Sequence, residues 1–219
     1  MKVGWVPMTM LGPDRYVHDM DLLVEEPDRL PPQNTGTINE CPAHTSFISE
    51  FFTVRAPFDL ELEYNHEMQA LRSSSLDHDQ FERFIHARHN DTGDDGVFSI
   101  TVNWKLLFLA DEPCRVEVYP AFRHGTPYDV AVASFDIYRW QRPVDFTFQL
   151  DRDSIISIHK GDPLYYVRFT PGPVKLQRLE WNDDIQRCVQ ACNLKPLQPG
   201  YSWQLIKRAG NWHRPRKFL

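Results

Sequence analysis

Residues 97–171 hold one short strand after another, with turn residues between them. That spacing constrains the fold more than any other feature of the chain. Within the run, Val144–Leu150 alternates: Val144, Phe146, Phe148 and Leu150 point one way, and Asp145, Thr147 and Gln149 the other. A period of two is the mark of a half-buried strand. His159–Pro163 (HKGDP) then supplies turn chemistry before another aromatic strand. Strands are expected at Val97–Leu109, Arg115–Tyr119, Asp129–Trp140, Val144–Leu150, Ser154–His159 and Leu164–Thr170. Many strands joined by short turns must close on themselves or stack, so the expected class is all-β, a jelly-roll or barrel-like sandwich.

Composition agrees. Among 219 residues there are 14 Phe, 8 Tyr, 6 Trp and 17 Pro, which favours strands and rigid loops over helices. A 42% apolar share can build a core and argues against disorder. The net charge of −6 does not suit a nucleic-acid coat, because phosphate binding needs a concentrated basic face. One basic cluster exists: Arg214, Arg216 and Lys217, with Lys207 and Arg208 upstream. It reads as a solvated tail or as a docking arm for an acidic partner. MKVGWVPMTM has no long apolar run, so neither a secretory signal nor a membrane span is expected. The chain is not expected to be secreted.

Outside the strand run, the chain divides into an extended Pro-rich arm (1–40), a sandwich or barrel domain (41–181), and a short helix, edge strand and basic tail (182–219). Strands are expected at Tyr16–Val24 and Phe47–Val54, and Phe58–Tyr64 repeats the clean alternation. A helix is expected at Asp183–Cys192, with Asn182 as its N-cap. Tyr201–Lys207 (YSWQLIK) reads as a returning edge strand.

Few residues carry chemistry. Read as one helix, Asp77–His89 puts His78, Glu82, His86 and His89 in a sector of roughly 80°, at about 100° per residue, with Glu82, His86 and His89 as the candidate ligands. Such a face can hold a metal, but no completing ligand follows, so a solvated face is the plainer reading and no cofactor is expected. Cys188 and Cys192 are one helical turn apart and lack a second Cys or His pair, which makes them buried thiols rather than a zinc site. The chain contains no His-x-His pair, no Gly-x-Ser-x-Gly and no glycine-rich phosphate loop. What remains is Arg123-His124 together with Ser134, Asp136, Tyr138 and Arg139. Arg123, His124, Asp136, Arg139 and Trp104 are the candidate binding residues, and Asp136 and Tyr138, expected on one strand face with Ser134, are the catalytic candidates if the protein is an enzyme. An exposed cross-strand charge pair is the plainer reading of Asp136.

Two resemblances bear on these residues. Ala133-Ser134-Phe135-Asp136-Ile137-Tyr138, followed by a strand and then Gly161-Asp162, resembles the last motifs of the deoxyuridine triphosphatase and deoxycytidine deaminase group. That resemblance implies a trimeric β-barrel in which Asp136 activates water or binds a sugar. A longer stretch resembles a family found in tailed-phage genomes, through Cys41-Pro42, Pro57-Phe58-Asp59, Trp104 and the Gly161-Asp162-Pro163 turn. This second resemblance implies a phage origin, a location in the host cytoplasm or the virion, and a jelly-roll-like barrel, and no activity.

The expected function is therefore non-catalytic, a phage-encoded virion component or host-interaction factor acting through protein partners or self-association. The alternative is a small-molecule or nucleotide-directed enzyme on a β-barrel, with or without a metal.

Overall fold

A computed structural model describes residues 1–10, 16–17, 25–31, 41–68, 70–89, 98–126, 128–150 and 152–192. The chain order is β1 (Lys2–Met10), β2 (Tyr16–Val17), β3 (Asp28–Arg29), α1 (Pro42–Ile48), β4 (Phe51–Arg55), β5 (Leu60–Asn65) and β6 (Ala70–Ser73). Next come α2 (His78–Phe84), β7 (Ile85–His89), β8 (Phe98–Leu109), β9 (Arg115–Pro120), β10 (Asp129–Val130), β11 (Ala133–Asp136) and β12 (Pro143–Leu150). The described part ends with β13 (Ser154–Ile158), β14 (Pro163–Thr170), β15 (Lys175–Arg178) and α3 (Asp183–Cys192). The fold is β-rich, with about half of the described residues in strands, and its curled sheets form a half-barrel.

The first sheet runs β10-β12-β8-β1-β15, with β7 also on β8 and β2 on β1. The second runs β11-β9-β14-β4-β3, and the third runs β13-β5-β6. The second and third sheets share one folded ladder. Ile158 lies opposite Leu60 on one side of the corner and Pro163 opposite Arg55 on the other, so both strands spend equal numbers of residues turning it. The corner is tied by Gly161 N–H to the Ala56 carbonyl and Ala56 N–H to the Asp162 carbonyl. Gly161 has φ +88°, a left-handed conformation that glycine adopts at little cost. Asp162 accepts the His159 N–H at 2.8 Å and closes the turn expected there.

The main core lies inside the curl, where all three sheets contribute: Trp5, Ile100 and Phe146 from the first, Val118 and Val167 from the second, Leu62 and Ile156 from the third. Two smaller clusters cover outer faces. Ile185 and Val189 of α3 pack on Val6, Met8, Leu107 and Leu109. Leu30 and Ile48 pack with Phe51, Ala121 and Tyr166.

Several sequence expectations need correction. Residues 2–10, expected in an extended arm, form β1, with β8 antiparallel on one side and β15 parallel on the other. Residues 42–48, which include Phe47, are helical rather than the start of a strand. Asp129–Trp140 is not one strand: β10 and β11 are short, and a turn follows Asp136. Asp77–His89 is not one helix. A capping box between Asp77 and Gln80 starts α2, and the helix stops at Phe84 because β8 offers Ile85–His89 a strand partner. Two short helices, α1 and α2, stand beside the expected C-terminal one. The remainder of the expected Tyr16–Val24 strand, the Tyr201–Lys207 strand and the basic tail lie outside the described residues.

Candidate functional site

Asp136, the catalytic candidate of the enzyme reading, is a turn former. Its Oδ1 accepts the backbone N–H groups of Tyr138 and Arg139, each at 3.0 Å, and Arg139 Nε stands 3.9 Å from Oδ2. This is an Asx-type turn, for which aspartate is favoured because its side chain mimics a backbone carbonyl. Tyr138 lies in that turn and does not continue the Ser134–Asp136 strand face. Ser134 Oγ accepts from Arg115. No described contact joins Asp136 to Arg123 or His124.

Arg123 and His124 lie elsewhere, in the loop after β9. Arg123 donates to the Pro31 carbonyl, and His124 is exposed. This loop borders an aromatic cluster on the outer face of the second sheet. Phe51 and Tyr166 are buried beneath it, while Phe47 and Phe122 remain 41% and 48% exposed. The rings meet edge to face: Phe47–Phe51 at 4.9 Å, Phe51–Phe122 at 5.6 Å and Phe122–Tyr166 at 4.8 Å between centroids. Arg168 lies 5.2 Å above the Phe47 ring and pairs with Glu50 at 2.8 Å. Tyr119 donates to Glu117, so charged groups rim the apolar patch.

A second constellation sits on β8. The β8–β12 register pairs Leu106 with Val144 but Val102 with Phe146. Asn103, Trp104 and Lys105 therefore stand opposite the single residue Asp145, as a β-bulge. On the other side of β8, β7 ends at Val102 and β1 begins at Lys105. The Asn103 amide fills this break by donating to the Arg83 carbonyl at 3.0 Å. The Lys105 side chain, 4% exposed, holds Asp145 at 2.5 Å, and Arg142 reaches the other carboxylate oxygen at 4.0 Å.

His86 belongs to the same neighbourhood. Its buried Nε2 has no hydrogen-bond partner. Burial lowers its pKa, Lys105 and Arg88 add to the effect, and Asp145 opposes it. Tyr165 is fully buried and its hydroxyl has no partner. Desolvation first, then the Asp145 charge, raises its pKa. Trp104 is a core residue: its indole stacks on Phe58 at 4.5 Å, and Nε1 is buried without a partner.

Glu82 stays on α2, where it approaches His78 at 3.6 Å, whereas His86 and His89 belong to β7. The expected metal face is therefore split between two elements. Among the described residues no group of three His, Cys, Asp or Glu is placed to hold a metal ion. The side chains of His89, Cys188 and Cys192 lie outside the description. A shallow cleft of about 260 Å³ on the third sheet is lined by Glu61, Glu63, Arg72, Ser73 and Ile155, and none of these had been singled out.

Lys105 and Asp145 also escaped sequence reasoning, although a signal existed. A lysine inside the apolar run NWKLLFL is a charge that a doubly covered strand must pair. No such signal marks Phe47 or Phe122, since exposure of an aromatic is set by what fails to cover it.

No family model matches the chain, and no curated protein or solved structure matches it.

Proposed function

We propose that the protein is a non-catalytic binding module, and that the aromatic patch on the outer face of the second sheet is its contact surface. The observation that carries this reading is the exposure of Phe47 and Phe122 directly over buried Phe51 and Tyr166. Contact surfaces that hold partners have aromatic and arginine residues at their centre and a polar rim. Here the centre is Phe47, Phe122 and Arg168, and the rim is Glu50, Glu117 and Arg123. On the resemblance to the tailed-phage family, the partner is another virion protein or a host protein.

A photo-crosslinking residue in place of Phe122, in the full chain expressed in its native setting, tests this. It should capture one discrete species, and Phe47→Ser should abolish the capture. The same crosslinker at Glu112, exposed between β8 and β9 and at the opposite end of β9 from Phe122, should capture nothing discrete. Equal labelling from both positions would remove the reading.

The rival enzyme reading has one observation behind it. The bulge pairs a buried lysine with a partly exposed aspartate, and the charge of that pair is felt by His86 and by Tyr165, whose Nε2 and hydroxyl are buried and unbonded. Calorimetric titration with deoxynucleotides decides between the two. Binding heat that vanishes in Lys105→Met would put the enzyme reading first.

A further inference from the structure

We infer that two copies of this chain associate by pairing their β13 strands edge to edge across a two-fold axis. The surface is separate from the aromatic patch, and the inference does not rest on the function proposed for that patch.

β13 is the outer strand of the third sheet, and among the described residues it pairs only with β5. An open edge presents unpaired N–H and C=O groups, and proteins usually blunt such edges with charge, proline or a bulge. The other ends of the three strand orders follow that rule. β6 carries Arg72, β15 carries Lys175 and Arg178, and β11 ends in Asp136. The edges at β10 and β3 are two residues long and each contains an aspartate. β13 is SIISI: it has no charge, no proline and no bulge against β5. Its outward Ile155 is 74% exposed, the most exposed large apolar side chain among the described residues.

The strand's pattern selects a second copy as the occupant. Ser154-Ile155-Ile156-Ser157-Ile158 is nearly self-complementary when run antiparallel against itself about Ile156. That register sets Ile156 against its own copy and Ile155 opposite Ser157 of the other chain. The two Ile155 side chains become diagonal neighbours on the outer face, a distance at which long side chains still touch. It also sets Asp153 opposite His159 of the other chain, twice by symmetry, and both residues are exposed. The three-stranded sheet would become a six-stranded one, and the exposed Ile155 pair would leave water. A two-fold contact of this kind is isologous and closes, so it gives a dimer and not a fibre.

The test is light scattering over a concentration series, with hydrogen exchange on the same samples. The full chain should move from monomer to dimer mass, and the β13 amides should gain protection in step. Ile155→Lys and Ile155→Glu are surface changes that leave the fold intact, which circular dichroism checks. Each should weaken self-association by roughly tenfold or more, because like charges then face each other across the axis. Mixing the two variants in equal amounts should restore the dimer, and Phe47→Ser should leave it untouched. A chain that stays monomeric at every concentration overturns the inference. So does β13 protection that does not vary with concentration, since something within the chain would then cover that edge. A dimer that survives Ile155→Lys overturns it as well.

Discussion

At the scale of single residues, burial decides what a polar group can do. His86 shows this through pH. Its imidazole, on β7, is partly buried near the Lys105–Asp145 pair, and its pKa lies below the ordinary value of 6.5. The unfolded chain keeps the ordinary value, so between the two the unfolded state binds more protons. Stability then rises with pH in that window. The contribution of His86 is complete above about pH 6.5 and shrinks as the pH falls through that value, levelling off below the folded pKa. Replacing His86 with Asn should flatten this part of the stability profile, measured as urea midpoints between about pH 7 and 5. An unchanged slope in the variant would mean that the ring is not held neutral by its surroundings. Asp136 is the contrasting case. It is half-covered, yet its carboxylate is already committed to two backbone N–H groups, so a chain position that looked chemical is conformational.

At the scale of elements, the strands that alternate cleanly were the legible ones. Val144–Leu150 became β12 and Phe58–Tyr64 became β5 because each has one face in the core and one toward water. β1 left no such trace. Val3 to Met8 are buried on both faces, so the segment reads as a mixed run with Gly4 and Pro7 inside it. Pro7 lies past the end of the β15 pairing, where a missing N–H leaves no ladder bond unmade on that side. β7 was unreadable for another reason: its helix-like pattern loses to the free edge of β8, which only the tertiary fold supplies. The bulge in β8 likewise depends on the register of two strands. It has a measurable consequence. Asp145→Ala leaves a lysine with almost no access to water and no carboxylate. The expected cost is about 3 kcal/mol, near the low end for breaking a buried pair, because Asp145 keeps a quarter of its side chain exposed. Adding Lys105→Met should recover most of that loss, since a matched apolar replacement removes the stranded charge. Chemical denaturation of the two variants checks this, and a double variant as unstable as the single one would refute it.

At the scale of the whole molecule, three sheets share one core. Their inner faces meet in a single cluster, and the second and third sheets are halves of one bent ladder. Such a body has no internal boundary at which to unfold in parts. The N-terminal strand is bound into it. Val3 and Trp5 enter the main core, Val6 and Met8 enter the cluster under α3, and the Arg178 guanidinium caps the Trp5 ring at 5.3 Å. Had residues 1–10 been a loose arm, Trp5→Ala would cost no more than a surface change, about 0.5 kcal/mol. Because Trp5 is fully buried, the expected cost is about 3–5 kcal/mol, the range for emptying an aromatic site in a packed core. The loss should appear as one shifted transition, coincident by far-ultraviolet circular dichroism and by tryptophan fluorescence, because the cluster that loses Trp5 also holds Phe146, Val167 and Ile156 from all three sheets. Two separate transitions, or a variant within 1 kcal/mol of the parent by the same linear extrapolation, would show that β1 docks on the half-barrel without being part of its cooperative unit.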